Sequence, residues 1–277
     1  MHRKVPNTSA TAASAGTDLN GAAEADACAQ IIGRLRSVAG GLLGCDPDGV
    51  VFECGVVSGG GTELPFARIC EAAYHQRIPH FAHGYYRTPG IYFDAAAGRG
   101  RPFHYYPFGA AVSEVEVDGF TGAYRLLRSD ILQDVGDSIS PVVDRGQVEG
   151  GFLQGVGWLT LEELLWGRAG PARDRRRVHL QATLVVGGAD IFNVDLLQGG
   201  PQPTVIFGSK AVGEPPLMLA ISVREALRDA VSAFAAVRVP SAQPGAITFD
   251  GPATPERIFF AVRQAPTGSS SGPVTAR

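Results

Sequence analysis

Apolar residues recur every three to four positions in three stretches of the chain, the spacing of one face of an α-helix. These stretches predict helices over about residues 19–37, over 147–166 and after Pro215–Pro216, whose missing N–H groups suit a first helical turn. Asp18 stands in front of the first helix and is predicted to cap it. A shorter helix is predicted over residues 63–73.

The predicted helix over 147–166 contains four glycines. Each glycine costs about 1 kcal/mol relative to alanine inside a helix. Their density predicts that another backbone or a ligand packs closely against this helix.

Strands are predicted where apolar and polar residues alternate. Val115 and Val117 alternate with acidic residues and lead into the turn sequence DGFTG, which predicts a β-hairpin near 108–131. Shorter strand-like segments lie at 50–58, 179–186 and 191–197. The mixture predicts an α+β fold with a mixed, hairpin-containing sheet and flanking helices.

Composition narrows the domain organisation. We expect one domain over 1–264 with two sub-lobes, about 1–140 and 141–264, followed by a disordered tail at 265–277 whose composition is SPGT-rich. Glycine and proline number 36 and 19, about a fifth of the chain, which predicts many tight turns.

Charge and hydropathy exclude some function classes. The net charge of −3 lacks the basic excess of a nucleic-acid-binding protein. No apolar run is long enough to span a bilayer and no secretory signal is recognisable, so we expect a cytoplasmic protein without membrane contact. The four cysteines and the histidines follow no metal-site spacing, and we expect the thiols to be reduced and mostly buried.

The most constrained local chemistry lies in KAVGEPPL, residues 210–217. Pro215 is expected to push Glu214 into an extended conformation at a helix entrance, while Gly213 allows close backbone approach. A carboxylate fixed there suits a general base or a group beside a metal site. The alternative is a carboxylate that only interacts with the helix dipole.

Two further places are candidates for ligand contact. Gln147 begins the glycine-rich helix, where its carboxamide could hydrogen-bond a ligand or simply face solvent. The small residues of 11–14, which include Ala13 and Ser14, could admit an anion to backbone N–H groups, although such loops are common.

Five segments together resemble the C-terminal part of the molybdenum-binding subunit of bacterial xanthine dehydrogenase, in the molybdenum hydroxylase (xanthine oxidase) family. They occur in the family's order, as VPNTSATAASAGTDLNG (5–21), GYYRTPGIYFD (84–94), RPFHYYPFGAAVSEVEVDGFTG (101–122), LRSDILQDVGDSISPVVDRGQVEGGFLQGVGWLTLEELLW (127–166) and SKAVGEPPLMLAISVREALRDAV (209–231). KAVGEPPL with QVEGxFxQGxG is the most specific combination. The resemblance implies the second half of a molybdenum-cofactor-binding domain.

The resemblance also implies a mechanism and a set of site residues. It implies a sulfurated molybdenum–molybdopterin cofactor, held by its dithiolene rather than by a protein side chain, near Ala13 and Glu214. Glu214 matches the general base that takes the proton from Mo–OH during hydroxylation of xanthine or hypoxanthine. Ala13, Ser14, Gln147 and Gly213 match positions that contact the cofactor.

The partners are implied by what the chain does not contain. The family's first half of the molybdenum subunit supplies further cofactor contacts and the residues that orient the purine. Iron–sulfur clusters and FAD, which pass electrons to NAD, are expected on a partner domain or subunit, so we expect a hetero-oligomer. The segment between residues 167 and 188 departs from the family pattern.

Two alternatives to xanthine hydroxylation stay open. The chain could be a truncated, catalytically silent fragment or a scaffold subunit. It could also serve a hydroxylase for aldehydes or other N-heterocycles.

Overall fold

The computed structural model describes three stretches of the chain, residues 12–163, 188–238 and 250–264. The chain divides into two compact units, Met1–His104 with Thr204–Ile206, and Tyr105–Pro203 with Phe207–Arg277. This boundary lies earlier than the sub-lobe division expected near residue 140. The reason is that the central hairpin packs against a helix from the C-terminal part of the chain and so joins the second unit.

Helix α1, Ala22–Leu43, dominates the first unit. It follows a π-helical turn, Thr17–Gly21, and continues beyond the predicted end at residue 37 because Val38, Ala39 and Leu43 extend its buried face. Gly44 then ends it in the left-handed conformation, with φ of 68°. Asp18 lies inside the π-helical turn, so the prediction that it caps the helix is wrong.

A small antiparallel sheet and a second helix pack on α1. The strands are β1 (Val51–Glu53), β2 (Val56–Gly59) and β3 (Thr62–Pro65), in that spatial order. Helix α2, Phe66–His75, begins three residues later than predicted because Thr62–Pro65 pairs with β2 instead. Among the described residues of this unit, the buried core consists of eight apolar residues, Leu35, Val38, Ala39, Leu43, Val50, Val57, Ile69 and Ala73.

The cysteines of the first unit are all free thiols. Cys28 and Cys54 are exposed, and Cys45 and Cys70 are only half-buried. The expected burial of these thiols is therefore wrong, because none of them belongs to the fully buried cluster of this unit.

The first unit ends in an irregular stretch that carries a short hairpin of strands β4 (Tyr92–Asp94) and β5 (Arg99–Arg101). Every residue of both strands is exposed.

The second unit contains the predicted hairpin. Strands β6 (Gly109–Val117) and β7 (Tyr124–Gln133) pair antiparallel, and β8 (Ile191–Leu196) pairs parallel to β7, which gives the mixed sheet β6-β7-β8. In the hairpin turn, Asp118 accepts hydrogen bonds from the Phe120 N–H at 2.8 Å and the Thr121 hydroxyl at 2.7 Å. These bonds, the backbone one first, lower the pKa of the Asp118 carboxyl below its ordinary value.

Helices cover this sheet. Helix α3, Pro141–Thr160, packs on β8, and helix α4, Ile221–Arg238, packs on β6 and on α3. A 3₁₀ helix, Pro215–Ala220, leads into α4, and helix α5, Pro255–Gln264, packs against α4. The buried centre is apolar and includes Phe152, Val156, Val194, Val223, Leu227, Val231 and Ile258.

Some predictions lie outside the described residues. These are the strand-like segment at 179–186, the divergent segment between 167 and 188, and the tail at 265–277. Within the described ranges, none of the helices combines the length and the apolar character needed to cross a membrane.

Candidate functional site

The Lys210–Leu217 segment is fixed to the end of β7 by a buried ion pair. Lys210 Nζ lies 2.5 Å from Asp134 Oδ2, and the two side chains are only 10% and 3% exposed. The other oxygen of Asp134 accepts a hydrogen bond of 2.9 Å from the backbone N–H of Gly136. The N–H of Lys210 donates to the carbonyl of Val135 at 2.8 Å. Charge and backbone hydrogen bonds therefore hold the start of this segment against the sheet.

Further contacts restrict the backbone that surrounds this ion pair. Gly136 has φ of +66°, and a Cβ there would lie 2.3 Å from the carbonyl oxygen of Gly208. The N–H of Asp137 donates to that carbonyl at 2.9 Å. The hydroxyl of Tyr105 accepts a hydrogen bond of 2.7 Å from the N–H of Ala211. The backbone before residue 212 thus has little freedom.

Glu214 lies at the entrance of the 3₁₀ helix, with φ of −97° and ψ of −36°. This is helical backbone, so the expected extended conformation is wrong. The carbonyl of Glu214 accepts a hydrogen bond of 3.0 Å from the N–H of Leu217, and this bond requires the helical value of ψ despite the proline that follows. The side chain of Glu214 is exposed and makes no capping hydrogen bond.

The glycines of α3 let the Glu214-bearing segment lie directly on the helix. A Cβ at Gly151 would be 2.9 Å from the carbonyl oxygen of Gly213, and a Cβ at Gly155 would be 2.4 Å from that of Leu217. Both glycines are buried. The close backbone packing predicted from the glycine content is confirmed.

Gln147 lies one helical turn before Gly151, about 6 Å along the axis of α3. Its side chain is exposed. The structure therefore brings Gln147 and Gly213 to the same part of α3, with Glu214 next in the chain. A carboxamide that can donate and accept hydrogen bonds and a carboxylate that can accept a proton are thus available within one small region.

Ala13 and Ser14 belong to the first unit. They occupy the two central positions of a turn in which the N–H of Ala15 donates to the carbonyl of Ala12 at 3.2 Å. Both have positive φ, 54° and 52°, a conformation that costs energy in residues other than glycine. Small side chains fit this turn, and the predicted cofactor contact of the two residues stays a prediction.

Sequence reasoning missed two residues that hold the site, Asp134 and Tyr105. Nothing in the local pattern links them to Lys210 or Ala211, which lie 76 and 106 positions away from their respective partners. The one available signal was an acidic residue directly after a predicted strand.

Among the described residues, no group of three or more His, Cys, Asp or Glu side chains is arranged to hold a metal ion. The expectation that any molybdenum is held by its own dithiolene ligand stays a prediction.

Comparison with known proteins agrees with the resemblance inferred from the motifs. Residues 2–176 match the family model of the molybdopterin cofactor-binding domain. The chain is 43% identical to a xanthine dehydrogenase of Oryza sativa subsp. japonica over 270 residues, which are 93% of this chain and 18% of that protein. It is 39% identical to the xanthine dehydrogenase/oxidase of Felis catus over 254 residues, 92% of this chain and 18% of that protein. The chain thus spans less than a fifth of the length of these relatives.

Solved structures show the same fold. The chain is similar to quinoline 2-oxidoreductase from Pseudomonas putida 86, with a TM-score of 0.73, 24% identity and coverage of 92% of this chain and 31% of that one. It is also similar to an aldehyde oxidoreductase from Desulfovibrio desulfuricans, with a TM-score of 0.64, 20% identity and coverage of 92% and 24%. These likenesses confirm the predicted α+β fold of a cofactor-binding domain.

Proposed function

The chain belongs to the family of molybdopterin cofactor-binding domains, and from that premise we propose that it forms part of the cofactor cleft of a molybdenum hydroxylase that oxidises xanthine or hypoxanthine. The observation that carries this proposal is the likeness to xanthine dehydrogenases over nearly the whole chain. The chain spans less than a fifth of the length of these relatives, so it would supply one part of the site within a larger assembly.

Residues on and beside α3 are the proposed cofactor contacts. The 2.9 Å approach of the Gly213 carbonyl oxygen to the Cβ position of Gly151 holds Gly213 against this helix. The exposed carboxamide of Gln147, one turn away, is available to hydrogen-bond a ligand's polar atoms. We assign Gln147 and Gly213 to cofactor binding, and Ala13 and Ser14 to the same role on the family resemblance.

Glu214 is the proposed general base. Its carboxylate is exposed at the entrance of the 3₁₀ helix, while the backbone before it is fixed by the Lys210–Asp134 ion pair. A side chain with this combination can hold a proton at a carboxylate oxygen without moving its main chain. When bound, the sulfurated molybdenum–molybdopterin group supplies the oxidising metal.

The partners follow from the same proposal. The rest of the molybdenum-binding domain would orient the purine, and iron–sulfur clusters and FAD on a partner domain or subunit would carry electrons to NAD. We propose a hetero-oligomer located in the cytoplasm.

The experiment compares two glutamates that both lie at helix entrances. Glu214→Gln and Glu256→Gln, the latter an exposed first-turn residue of α5, are assembled with the remaining half of the subunit and its redox partner. Molybdenum content and xanthine-dependent NAD reduction are measured. We expect Glu214→Gln to keep its molybdenum and lose roughly 10²-fold or more in turnover, and Glu256→Gln to match the parent.

Three results would contradict parts of the proposal. Retained turnover in Glu214→Gln would show that Glu214 is not the general base. Turnover of aldehydes or quinoline instead of xanthine would change the substrate. A complete assembly without molybdenum and without turnover would favour the catalytically silent fragment or scaffold.

A further inference from the structure

An extended segment of the first unit directs several aromatic side chains away from helix α1. Along residues 81–88, side chains alternate between exposed and half-buried positions, so that Phe81, Tyr85 and their odd-numbered neighbours face outward. The inward-facing Tyr86 has a raised pKa, mainly because of burial and secondarily because of the negative charge of Asp18. We call residues 79–104 the aromatic ribbon. Its large exposed apolar side chains are Phe81 (71% exposed), Tyr85 (60%), Ile91 (42%), Tyr92 (66%), Phe93 (63%) and Phe103 (58%).

The backbone of the aromatic ribbon is nevertheless held by a polar stripe on α1. Arg34 donates to the carbonyls of Pro79 and Phe81 at 2.8 and 2.9 Å. Four residues earlier, Gln30 Nε2 donates to the carbonyl of His83 at 3.0 Å. Another four residues earlier, the carboxylate of Asp26 accepts a hydrogen bond of 3.0 Å from the N–H of Tyr85. The spacing of four places Asp26, Gln30 and Arg34 on one face of the helix.

Gly84 shows how closely the aromatic ribbon lies on α1. A Cβ at this position would be 1.6 Å from the carbonyl oxygen of Ala23. The segment is therefore seated by its backbone, and its outward aromatic side chains contribute nothing to that seating.

The aromatic ribbon is an ordered backbone segment whose large apolar side chains are left exposed to solvent. Ordering a backbone costs about 1–2 kcal/mol per residue, and burial of apolar side chains normally offsets that cost. An aromatic side chain contributes roughly 150–250 Å² when fully covered. At the exposures given above, the six side chains together expose roughly 700 Å² of mostly apolar surface along the aromatic ribbon.

Charge on the aromatic ribbon indicates the chemistry of what covers it. Arg87, Arg99 and Arg101 are exposed, and no carboxylate within the described ranges forms an ion pair with them. Asp94, the one acidic residue of the ribbon, accepts hydrogen bonds from the N–H groups of Ala96 and Ala97 in its own turn. Three arginines against one aspartate make the ribbon cationic, whereas the whole chain carries a net charge of −3. Aromatic residues with arginine are the composition of protein–protein interfaces.

We propose that the aromatic ribbon is the docking surface for the remainder of the molybdenum-binding polypeptide, the part of a family member that lies outside this chain. The complementary surface would be apolar at its centre and acidic at its rim. This inference rests on the proposed function, because the occupant is defined by relatives of which this chain spans less than a fifth. The docking surface would be the same whether that polypeptide is joined to this chain or is separate from it.

The test measures association and needs neither molybdenum nor turnover. The full chain is titrated with the purified remainder of the subunit, and the double variant Tyr85→Ser/Phe93→Ser is compared with Phe120→Ser. Phe120 is 86% exposed in the hairpin turn of the second unit and serves as the matched control. We expect the double variant to raise the Kd by 10²-fold or more and the control variant to change the Kd by less than threefold. Because Tyr85 and Phe93 are mostly exposed, all variants should unfold at the same urea concentration.

A second measurement covers the case of one continuous polypeptide. Oxidative labelling of Tyr85 and Tyr92 should fall at least fivefold between the isolated chain and the complete assembly. Unchanged labelling, or unchanged Kd in the double variant, would overturn the proposal. So would self-association of the chain alone that the double variant abolishes, since a second copy would then be the occupant. Loss of turnover in the assembly with normal ribbon protection would count against the proposed activity and leave the docking surface intact.

Discussion

Alanine substitutions at neighbouring glycines of α3 give the sharpest test of how the Glu214-bearing segment is positioned. Gly155 is buried and faces the 3₁₀ helix, while Gly150 is exposed and has no atom within 4 Å of its Cβ position. Both are interior residues of the same helix. Alanine therefore gains about the same helix propensity at each, about 1 kcal/mol.

The packing term differs between the two positions. A Cβ at Gly155 would lie 2.4 Å from the carbonyl oxygen of Leu217 and 2.7 Å from Cβ of Ala220. Relief of these contacts requires the helix and the 3₁₀ segment to separate by about 1 Å, since apolar contacts are comfortable near 3.5 Å. Overpacking of this kind costs about 1–3 kcal/mol. Gly155→Ala should therefore be about 1–3 kcal/mol less stable than Gly150→Ala.

Urea unfolding of the isolated chain, followed by circular dichroism, measures this difference. Gly150→Ala should raise the urea midpoint above that of the parent. Gly155→Ala should have a lower midpoint than Gly150→Ala, and the m-values of the two variants should be equal. Equal stability of the two variants would refute the direct backbone packing of α3 against residues 213–217. A change in m-value would instead point to an altered unfolded or native state, and the comparison would then be repeated by thermal unfolding.

Two further predictions concern fixed charges. Lys210→Met leaves the buried carboxylate of Asp134 without a compensating charge and should lower the free energy of unfolding by about 3–5 kcal/mol. In the same urea assay, the double variant Lys210→Met/Asp134→Asn should be less destabilised than the sum of the two single variants. Additive effects would contradict the ion pair. The pKa of Asp118 is lowered because its carboxylate accepts hydrogen bonds from Phe120 and Thr121. Its contribution to the stability of the folded state is therefore fully present above the unfolded-state pKa of about 4, and it is lost as the pH falls through the lower pKa of the folded state. Asp118→Asn should therefore flatten the stability profile below pH 4, and a profile identical to the parent's would argue against these bonds.

The elements with strong periodicity were predictable. The hairpin of β6 and β7 follows from alternation, and the central part of helix α3 follows from three-to-four-residue spacing, although α3 begins at Pro141 and ends at Thr160 instead of covering 147–166. The glycines of α3 correctly indicated a close backbone neighbour. Those signals are local in sequence, so they survive without knowledge of the tertiary structure.

The failures arise where tertiary contacts outweigh local preference. Asp18 is a good capping residue by type, but it lies inside a π-helical turn that already begins at Thr17. Glu214 adopts helical backbone ahead of a proline because its carbonyl bonds to Leu217. Asp26, Gln30 and Arg34 are spaced by four residues, but this spacing does not indicate which segment they hold, and only the structure shows it.

The ion pair between Asp134 and Lys210 also sets an order of events during synthesis of the protein. The two residues are 76 positions apart, and α3 and β8 lie between them. Closing so long a loop is among the slower steps of folding, because the chain loses conformational entropy before the ion pair can form and stabilise the closed loop. Glu214 therefore reaches its fixed position only after the ribosome has released the chain well beyond residue 210, and the chemistry proposed for its carboxylate depends on completed folding of the second unit.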